Sequence, residues 1–344
     1  MFAYIGSRTT KARKALGEGI TVYQVGDYWK KTQTLPCGEN PSYLCVNKKG
    51  DRLYTIHGDG CTVTALSIAA DGTLTEMNTA PSYGTNPVHL ILSPDEKSLY
   101  IANLETGSIG QLAVNLDGSL GTVEGVYFVP GQEGHGYISH PHQLLLDPSG
   151  KFLLVPCQGR INGVGQVKVY AIQDDNTLTP AYTWEARKGA EPRHMGFHPN
   201  GKWAYLVNEK DSTIIYFHFD KETGALMPQQ MMTTLPDDYF GAGWASGLVM
   251  GKDGKFVYVS NRTHDSLTAY AIDQTTGRLT YLQNVAAGGR QPRFIGLNPD
   301  KTKLIAACEL THTVNLFAIG ADGRLTMEKE QIQAGSPVCV EFGR

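Results

Sequence analysis

A phrase that recurs six times along the chain limits its fold more than any other feature. In each copy a polar residue and a proline open a short apolar run, a Pro-Asp-Gly-like turn follows, and a second apolar run ends in Asn or Cys; the fifth copy lacks the proline. The openings lie 46, 54, 51, 53 and 47 residues apart, at Asn40, Asn86, His140, Glu191, Trp244 and Gln291. A period of this size predicts stacked repeats that share a continuous core.

Each repeat has room for four short strands. In the fifth copy, residues 248–250 and 256–260 are apolar runs on either side of a Lys-Asp-Gly-Lys turn. Residues 267–272 then alternate with the period of two that is typical of a strand, and a Thr-Gly turn introduces residues 279–282 as a fourth strand. Four antiparallel strands per repeat are the content of one propeller blade.

The two ends of the chain together supply the strands of a seventh repeat. Residues 336–342 match only the opening phrase and its first strand, and three more strands are predicted at residues 2–5, 19–25 and 29–35. The sequence therefore predicts an all-β, seven-bladed β-propeller of four-stranded blades, a single domain over residues 1–344, whose last blade joins both termini. Such closure removes exposed sheet edges.

Charge and cysteine usage narrow the class of protein. Thirty basic residues against 33 acidic ones give a net charge of −3, which provides no general basic surface for nucleic acid or anionic membranes. The six cysteines lack paired or metal-like spacing, which is typical of free thiols in a reducing compartment. With no charged leader and no bilayer-length apolar run, we expect a cytoplasmic monomer or weak homo-oligomer without nucleic-acid or membrane partners.

Two positions of the repeat are expected to face one rim of the central channel. The first two strands of a blade are antiparallel, so the start of the first and the end of the second lie at the same end. The position after the opening proline holds Ser42, Val88, His142, Arg193, Ser246, Arg293 and Val338. The position after the second strand holds Gly58, Leu104, Gln158, Glu209, Arg262 and Glu309. Charged side chains therefore gather on about half of the ring.

This grouping is typical of a small-anion site with an acid/base pair. Arg193, Arg262 and Arg293 offer planar donors that suit carboxylate or phosphate. His142 and Glu209 can exchange protons near neutral pH when their surroundings tune them. The alternative interpretation is that these charges form ion pairs that cap a water-filled channel.

Four segments of the chain are similar to the signatures of the seven-bladed propeller lactonases, a family that includes 6-phosphogluconolactonases and carboxymuconate lactonizing enzymes. They are His140-Pro141-His142-Gln143, Glu191-Pro192-Arg193-His194, Val207-Asn208-Glu209 and Val259-Ser260-Asn261-Arg262. The resemblance implies that His142, Arg193, Glu209 and Arg262 are catalytic. We expect Arg293, Glu309, His194 and Gln143 to bind the substrate.

The resulting hypothesis is hydrolysis of a small anionic sugar-acid lactone without a metal ion or other cofactor. Glu209 or His142 would activate water, and Arg193 would stabilise the developing oxyanion. Arg262 with Arg293 would hold the phosphate or carboxylate of the substrate. Two alternatives stay open: the same residues could close a carboxymuconate, a polycarboxylate, to its lactone, or the propeller could be a non-catalytic binding platform.

A histidine-rich loop raises the question of a metal site. His135, His140 and His142 lie close together in sequence, and imidazole is a common zinc ligand. The loop has no obvious carboxylate partner, and Pro141 restricts how the histidines approach one another. We therefore expect no metal here.

Overall fold

The computed structural model describes residues 1–131, 137–160 and 163–343, and in that part of the chain 28 strands form seven four-stranded sheets arranged in a ring. In chain order the strands are β1 Phe2–Ser7, β2 Ile20–Gln24, β3 Lys30–Leu35, β4 Pro41–Val46, β5 Arg52–His57, β6 Thr62–Ile68, β7 Leu74–Pro81, β8 Pro87–Leu92, β9 Ser98–Asn103, β10 Ser108–Val114, β11 Leu120–Phe128, β12 Leu145–Leu146, β13 Phe152–Cys157, β14 Gln166–Ile172, β15 Leu178–Glu185, β16 Pro192–Phe197, β17 Trp203–Asn208, β18 Thr213–Phe219, β19 Leu226–Thr233, β20 Ala245–Met250, β21 Phe256–Asn261, β22 Ser266–Ile272, β23 Leu279–Ala286, β24 Pro292–Leu297, β25 Lys303–Cys308, β26 Thr313–Ile319, β27 Leu325–Gln333 and β28 Pro337–Gly343. The described residues also include single-turn 3-10 helices at Lys11–Arg13 and Lys252–Gly254.

The predicted seven-bladed propeller is confirmed, including its composite last blade. Blades one to six are consecutive groups of four strands that begin at β4, β8, β12, β16, β20 and β24. Blade seven has the order β28-β1-β2-β3, with β1 antiparallel to both β28 and β2. The chain termini therefore meet within one sheet.

The core lies between neighbouring blades, where buried tyrosines of the second strands link one blade to the next. Tyr205 is fully buried, and its hydroxyl donates to the carbonyl of Gly277 in the following blade at 2.8 Å. A buried phenol needs such a partner, since an unpaired hydroxyl in the core is costly. The same contact to the next blade recurs at Tyr4, Tyr54, Tyr100 and Tyr258.

A backbone hydrogen bond that recurs in all seven blades sets the geometry of the rim. The residue after each second strand donates its N–H to the carbonyl of the residue that opens the repeat; the pairs are Arg8–Ser336, Gly58–Asn40, Leu104–Asn86, Gln158–His140, Glu209–Glu191, Arg262–Trp244 and Glu309–Gln291. Six of these acceptors, all except Trp244, have φ between 42° and 60°, an uncommon region for residues other than glycine. The bond brings the two predicted positions side by side at one end of the channel.

The cysteines are in the thiol state that the sequence analysis predicts. All six cysteines are free thiols, and Cys157 and Cys308 are buried. No helix in the described residues is long and apolar enough to cross a membrane. The compartment of the protein stays a prediction.

Candidate active site

A cavity at the rim of the channel collects predicted site residues from several blades. Its lining consists of Arg8, Ser42, Tyr43, Val88, His142, Arg193, His194, Arg293, Phe294 and Val338. The structure thus brings together His142, Arg193, His194 and Arg293, which lie up to 151 positions apart in the sequence. Glu209 and Arg262 connect to this cavity through Arg193.

A β-bulge explains how two consecutive residues, Arg193 and His194, reach the same cavity. Pro192 pairs with Asn208 and His194 pairs with Val207, so Arg193 is an extra residue without a partner across the strands. In a regular strand neighbouring side chains point to opposite faces, whereas a bulge re-aims one of them. The same register shift occurs between Pro292 and Phe294, at Arg293.

Glu209 is the centre of a buried ion-pair network. Its Oε2 lies 2.8 Å from Nε of Arg193 and 2.9 Å from Nη2 of Arg262, and it accepts a hydrogen bond from the Gln158 amide at 2.8 Å. Its Oε1 accepts the indole N–H of Trp244 at 2.6 Å. All four partners are donors, so the arrangement requires an ionised carboxylate.

The electrostatics of this network keep Glu209 charged. Burial alone would raise the pKa of Glu209, but the charges of Arg262 and Arg193 and the Trp244 hydrogen bond outweigh it and lower the pKa to about 2. The Arg262 guanidinium also lies over the Trp244 ring, 4.1 Å from its centroid. Both carboxylate oxygens of Glu209 are occupied by donor groups, which leaves this side chain less available as a base than His142.

His142 and His194 are neutral imidazoles beside the guanidinium of Arg193. Their ring centroids are 5.3 Å apart, and Nδ1 of His142 is buried without a hydrogen-bond partner in the part of the chain that the structure describes. Nη1 of Arg193 lies 3.2 Å from Nε2 of His194, so His194 accepts there and carries its proton on Nδ1. Burial first, and then the charge of Arg193, lower the pKa of both histidines well below the ordinary value.

Arg193 has one donor group left for a ligand. Its Nε faces Glu209, and its Nη1 donates to the Ser246 carbonyl at 2.8 Å and contacts His194. Within the described residues Nη2 has no hydrogen-bond partner. A charged N–H group on a side chain that is only 3% exposed and held by several partners suits stabilisation of an oxyanion.

The other predicted binding residues occupy different surroundings. Arg293 lines the cavity, and its Nη1 lies 3.8 Å from Oε2 of Glu309, which also accepts the Gln291 amide at 2.8 Å. Gln143 uses its side chain on the backbone of Met195, accepting the N–H at 2.6 Å and donating to the carbonyl at 3.3 Å. Contact of Glu309 and Gln143 with a substrate stays a prediction.

Two residues of the site are missed by the sequence analysis. Trp244 binds Glu209 and Arg262, and the signal for it is that the fifth opening replaces the usual polar residue and proline. Arg8 lines the cavity and follows β1, the second strand of blade seven. It occupies the same repeat position as Glu209 and Arg262, and extending that comparison to the N-terminal strand would have found it.

The metal question concerns the histidine-rich loop. No group of three or more His, Cys, Asp or Glu side chains that could hold a metal ion occurs in residues 1–131, 137–160 and 163–343. Nδ1 of His140 lies 3.0 Å from the Ile138 carbonyl. His135 lies outside the described residues, and a metal-free reaction stays a prediction.

Comparison with known proteins supports an enzyme. Residues 2–342 match the sequence model of a family described as "Lactonase, 7-bladed beta-propeller". A Bacillus subtilis 6-phosphogluconolactonase is 29% identical over 98% of this chain and 97% of its own, and a Lactococcus lactis protein is 32% identical over 88% of each. The structure of a periplasmic gluconolactonase of Pseudomonas aeruginosa superposes with a TM-score of 0.88 at 25% identity, covering 100% of this chain and 99% of its own.

Proposed function

Because this chain belongs to the seven-bladed β-propeller lactonase family, we propose that it hydrolyses a small anionic sugar-acid lactone at the Arg193 cavity, with His142 as the base and no metal ion. Its lactonase relatives support a lactone hydrolase. The observation that carries the proposal is the placement of the neutral His142 imidazole beside the Arg193 guanidinium, whose Nη2 has no hydrogen-bond partner among the described residues.

The charges around the cavity favour an anionic substrate. Arg193 and Arg293 both line it, and Arg293 is only loosely paired with Glu309 at 3.8 Å. In the proposed complex the lactone carbonyl lies against Nη2 of Arg193, and the anionic tail lies on the side of Arg293. Binding through the tail fixes the carbonyl near the base, which lowers the entropic cost of the reaction.

His142 performs the proton transfers. It takes a proton from water as the water oxygen bonds to the lactone carbonyl carbon, and Arg193 stabilises the negative oxygen that forms. The bond between that carbon and the ring oxygen then breaks, and protonated His142 returns the proton to the departing alkoxide. One water is consumed, and the products on the same chain are a hydroxyl group and a carboxylic acid, which releases its proton to solvent and becomes a carboxylate. The low pKa of His142 makes its protonated form a ready donor in the second step.

Glu209 acts in this scheme by holding Arg193 and Arg262. Its two carboxylate oxygens contact the Arg193 and Arg262 guanidinium groups and the Trp244 indole. The orientation of the Arg193 guanidinium is therefore fixed before the substrate arrives. Preorganised charge needs no rearrangement during the reaction. Arg262 acts on the substrate indirectly, through this network, in which its positive charge offsets the negative charge of Glu209.

The proposal is tested by following acid release from 6-phosphogluconolactone, with spontaneous hydrolysis subtracted, in the wild type and the His142→Gln variant. We expect His142→Gln to lower kcat by roughly 100-fold or more, the usual contribution of a general base. His218→Gln, at an exposed position of β18, is the matched control and should leave kcat unchanged. Wild-type turnover no faster than the background, or turnover of carboxymuconate alone, would overturn the proposal.

A further inference from the structure

We propose that Arg8 and Arg293 together bind a phosphate group of the substrate, and that Arg8 determines a preference for phosphorylated over unphosphorylated lactones. This inference rests on the proposed function and adds a specificity-determining residue to the same cavity. It assigns one side of the cavity to the phosphate and the opposite side to the reacting carbonyl.

The topology of the ring separates the two ends of the substrate. His142 and Arg193 come from blades three and four, whereas Arg293 and Arg8 come from blades six and seven. In a ring of seven these pairs of blades lie on opposite sides, yet all four side chains line one cavity. A lactone whose carbonyl lies at Arg193 therefore directs its far end toward Arg8.

Gly58 makes room for the Arg8 side chain. A Cβ added at Gly58 would lie 2.4 Å from Nη1 of Arg8 and 2.6 Å from the hydroxyl of Ser42. Gly58 occupies the repeat position that carries Gln158, Glu209, Arg262 or Glu309 in other blades. The guanidinium of Arg8 thus fills the space that a side chain at position 58 of blade one would take. The absence of a side chain at Gly58 therefore allows Arg8 to line the cavity.

Arg8 is buried with too little counter-charge. It is only 3% exposed; among residues 1–131, 137–160 and 163–343 its Nε has no hydrogen-bond partner, and its one ion pair there joins Nη1 to Oδ2 of Asp59 at 3.3 Å. Asp59 is also held by Arg13, through Nε at 2.8 Å and through a shorter contact of Nη2. One carboxylate therefore serves two guanidinium groups, and the cavity side of Arg8 is left for an anion.

Arg293 adds to this excess of positive charge. Burial first, and then the neighbouring Arg293, lower the pKa of Arg8 to about 10, so Arg8 is still charged at neutral pH. A dianion between the two guanidinium groups would relieve their repulsion. Two planar donors beside one cavity match the several oxygens of a phosphate better than a neutral hydroxymethyl group.

The test measures selectivity with two substrates, 6-phosphogluconolactone and glucono-δ-lactone, in the wild type and the Arg8→Gln variant. We expect the ratio of the two kcat/KM values to fall by about 10- to 100-fold in favour of the unphosphorylated lactone, the effect of losing charged hydrogen bonds. Gly58→Ala keeps Arg8 but displaces its guanidinium, so it should lower the ratio in the same direction. Arg324→Gln removes an exposed guanidinium that is not among the residues lining the cavity, and it is the control that should keep the wild-type ratio.

Binding measurements separate failure of this inference from failure of the proposed function. By calorimetry, 6-phosphogluconate should bind the wild type more tightly than gluconate does, and Arg8→Gln should remove that difference whether or not the protein turns over lactones. An unchanged selectivity ratio in folded Arg8→Gln, or equal losses on both lactones with no change in 6-phosphogluconate binding, would overturn the role of Arg8. Inorganic phosphate that binds wild type and Arg8→Gln equally would do the same.

Discussion

Replacing Glu209 by glutamine should destabilise the protein strongly at neutral pH. The carboxylate accepts hydrogen bonds from Gln158 and Trp244 and forms ion pairs with Arg193 and Arg262, and an amide at this place turns one acceptor into an NH2 group that faces donors only. Arg193 and Arg262, with side chains 3% and 2% exposed, would keep their charge without a partner. Breaking a buried pair in this way costs about 3–5 kcal/mol.

The pKa of Glu209 gives a second route to the same magnitude. A fall from the ordinary 4.5 to about 2 in the folded protein corresponds to about 3 kcal/mol of stability from the ionised carboxylate. Because the folded pKa is the lower one, this contribution is complete above pH 4.5 and is lost as the pH falls toward about 2. The stability difference between wild type and Glu209→Gln should therefore shrink over that interval.

The assay is urea unfolding followed by tryptophan fluorescence, at neutral pH and at several values down to about 2.5. Glu341→Gln is the control with the opposite sign, since burial raises the pKa of Glu341 to about 7. The ionised form of Glu341 disfavours folding, so this variant should gain stability relative to the wild type as the pH rises from 4.5 to about 7, and the difference should level off above that. A Glu209→Gln variant within about 1 kcal/mol of wild type at neutral pH, or a difference that stays constant into acid, refutes the reasoning.

Two further variants test single hydrogen bonds. Tyr205→Phe leaves the Gly277 carbonyl unpaired between two blades and should cost about 1–3 kcal/mol in urea unfolding, whereas Tyr28→Phe, at an 81% exposed position, should cost almost nothing. Trp244→Phe removes the indole donor from the Glu209 carboxylate and should raise the pKa of Glu209 in the folded protein. Acid unfolding of Trp244→Phe should then begin at a higher pH than in the wild type, and an unchanged acid midpoint would contradict the assigned role of the indole.

The repeat predicted the fold because each copy carries local signals that the structure uses as they stand. In the fifth copy the predicted strand over residues 256–260 corresponds to β21 (Phe256–Asn261), and residues 267–272 correspond to β22 (Ser266–Ile272). The antiparallel pairing of successive strands also placed His142, Arg193 and Arg293 at one rim. Periodicity and chain direction were sufficient for both results.

The contacts and the charge states within the site could not be predicted from the sequence. A strand pattern assigns alternate residues to opposite faces, so it cannot show that the bulge at Arg193 turns this residue and His194 into one cavity. The low pKa of Glu209 depends on the charges of Arg262 and Arg193 and on the indole donor of Trp244, which are 53, 16 and 35 positions away. Arg8 acquires its position from a glycine in another blade. Such effects arise from contacts between blades that composition and spacing do not encode.

The joining of both chain ends in blade seven has a consequence for biosynthesis. The N–H of Arg8 bonds to the carbonyl of Ser336 at 3.0 Å, and β1 pairs with β28 from Phe2–Gly343 to Ser7–Pro337. A nascent chain on the ribosome therefore carries Arg8 from the first moments of translation without the carbonyl that seats it. Arg8 and Arg293 can therefore bind a phosphate together only after residues 336–343 have emerged and paired with the N-terminal strand. The protein thus acquires its selectivity for phosphorylated lactones after blades one to six have been synthesised.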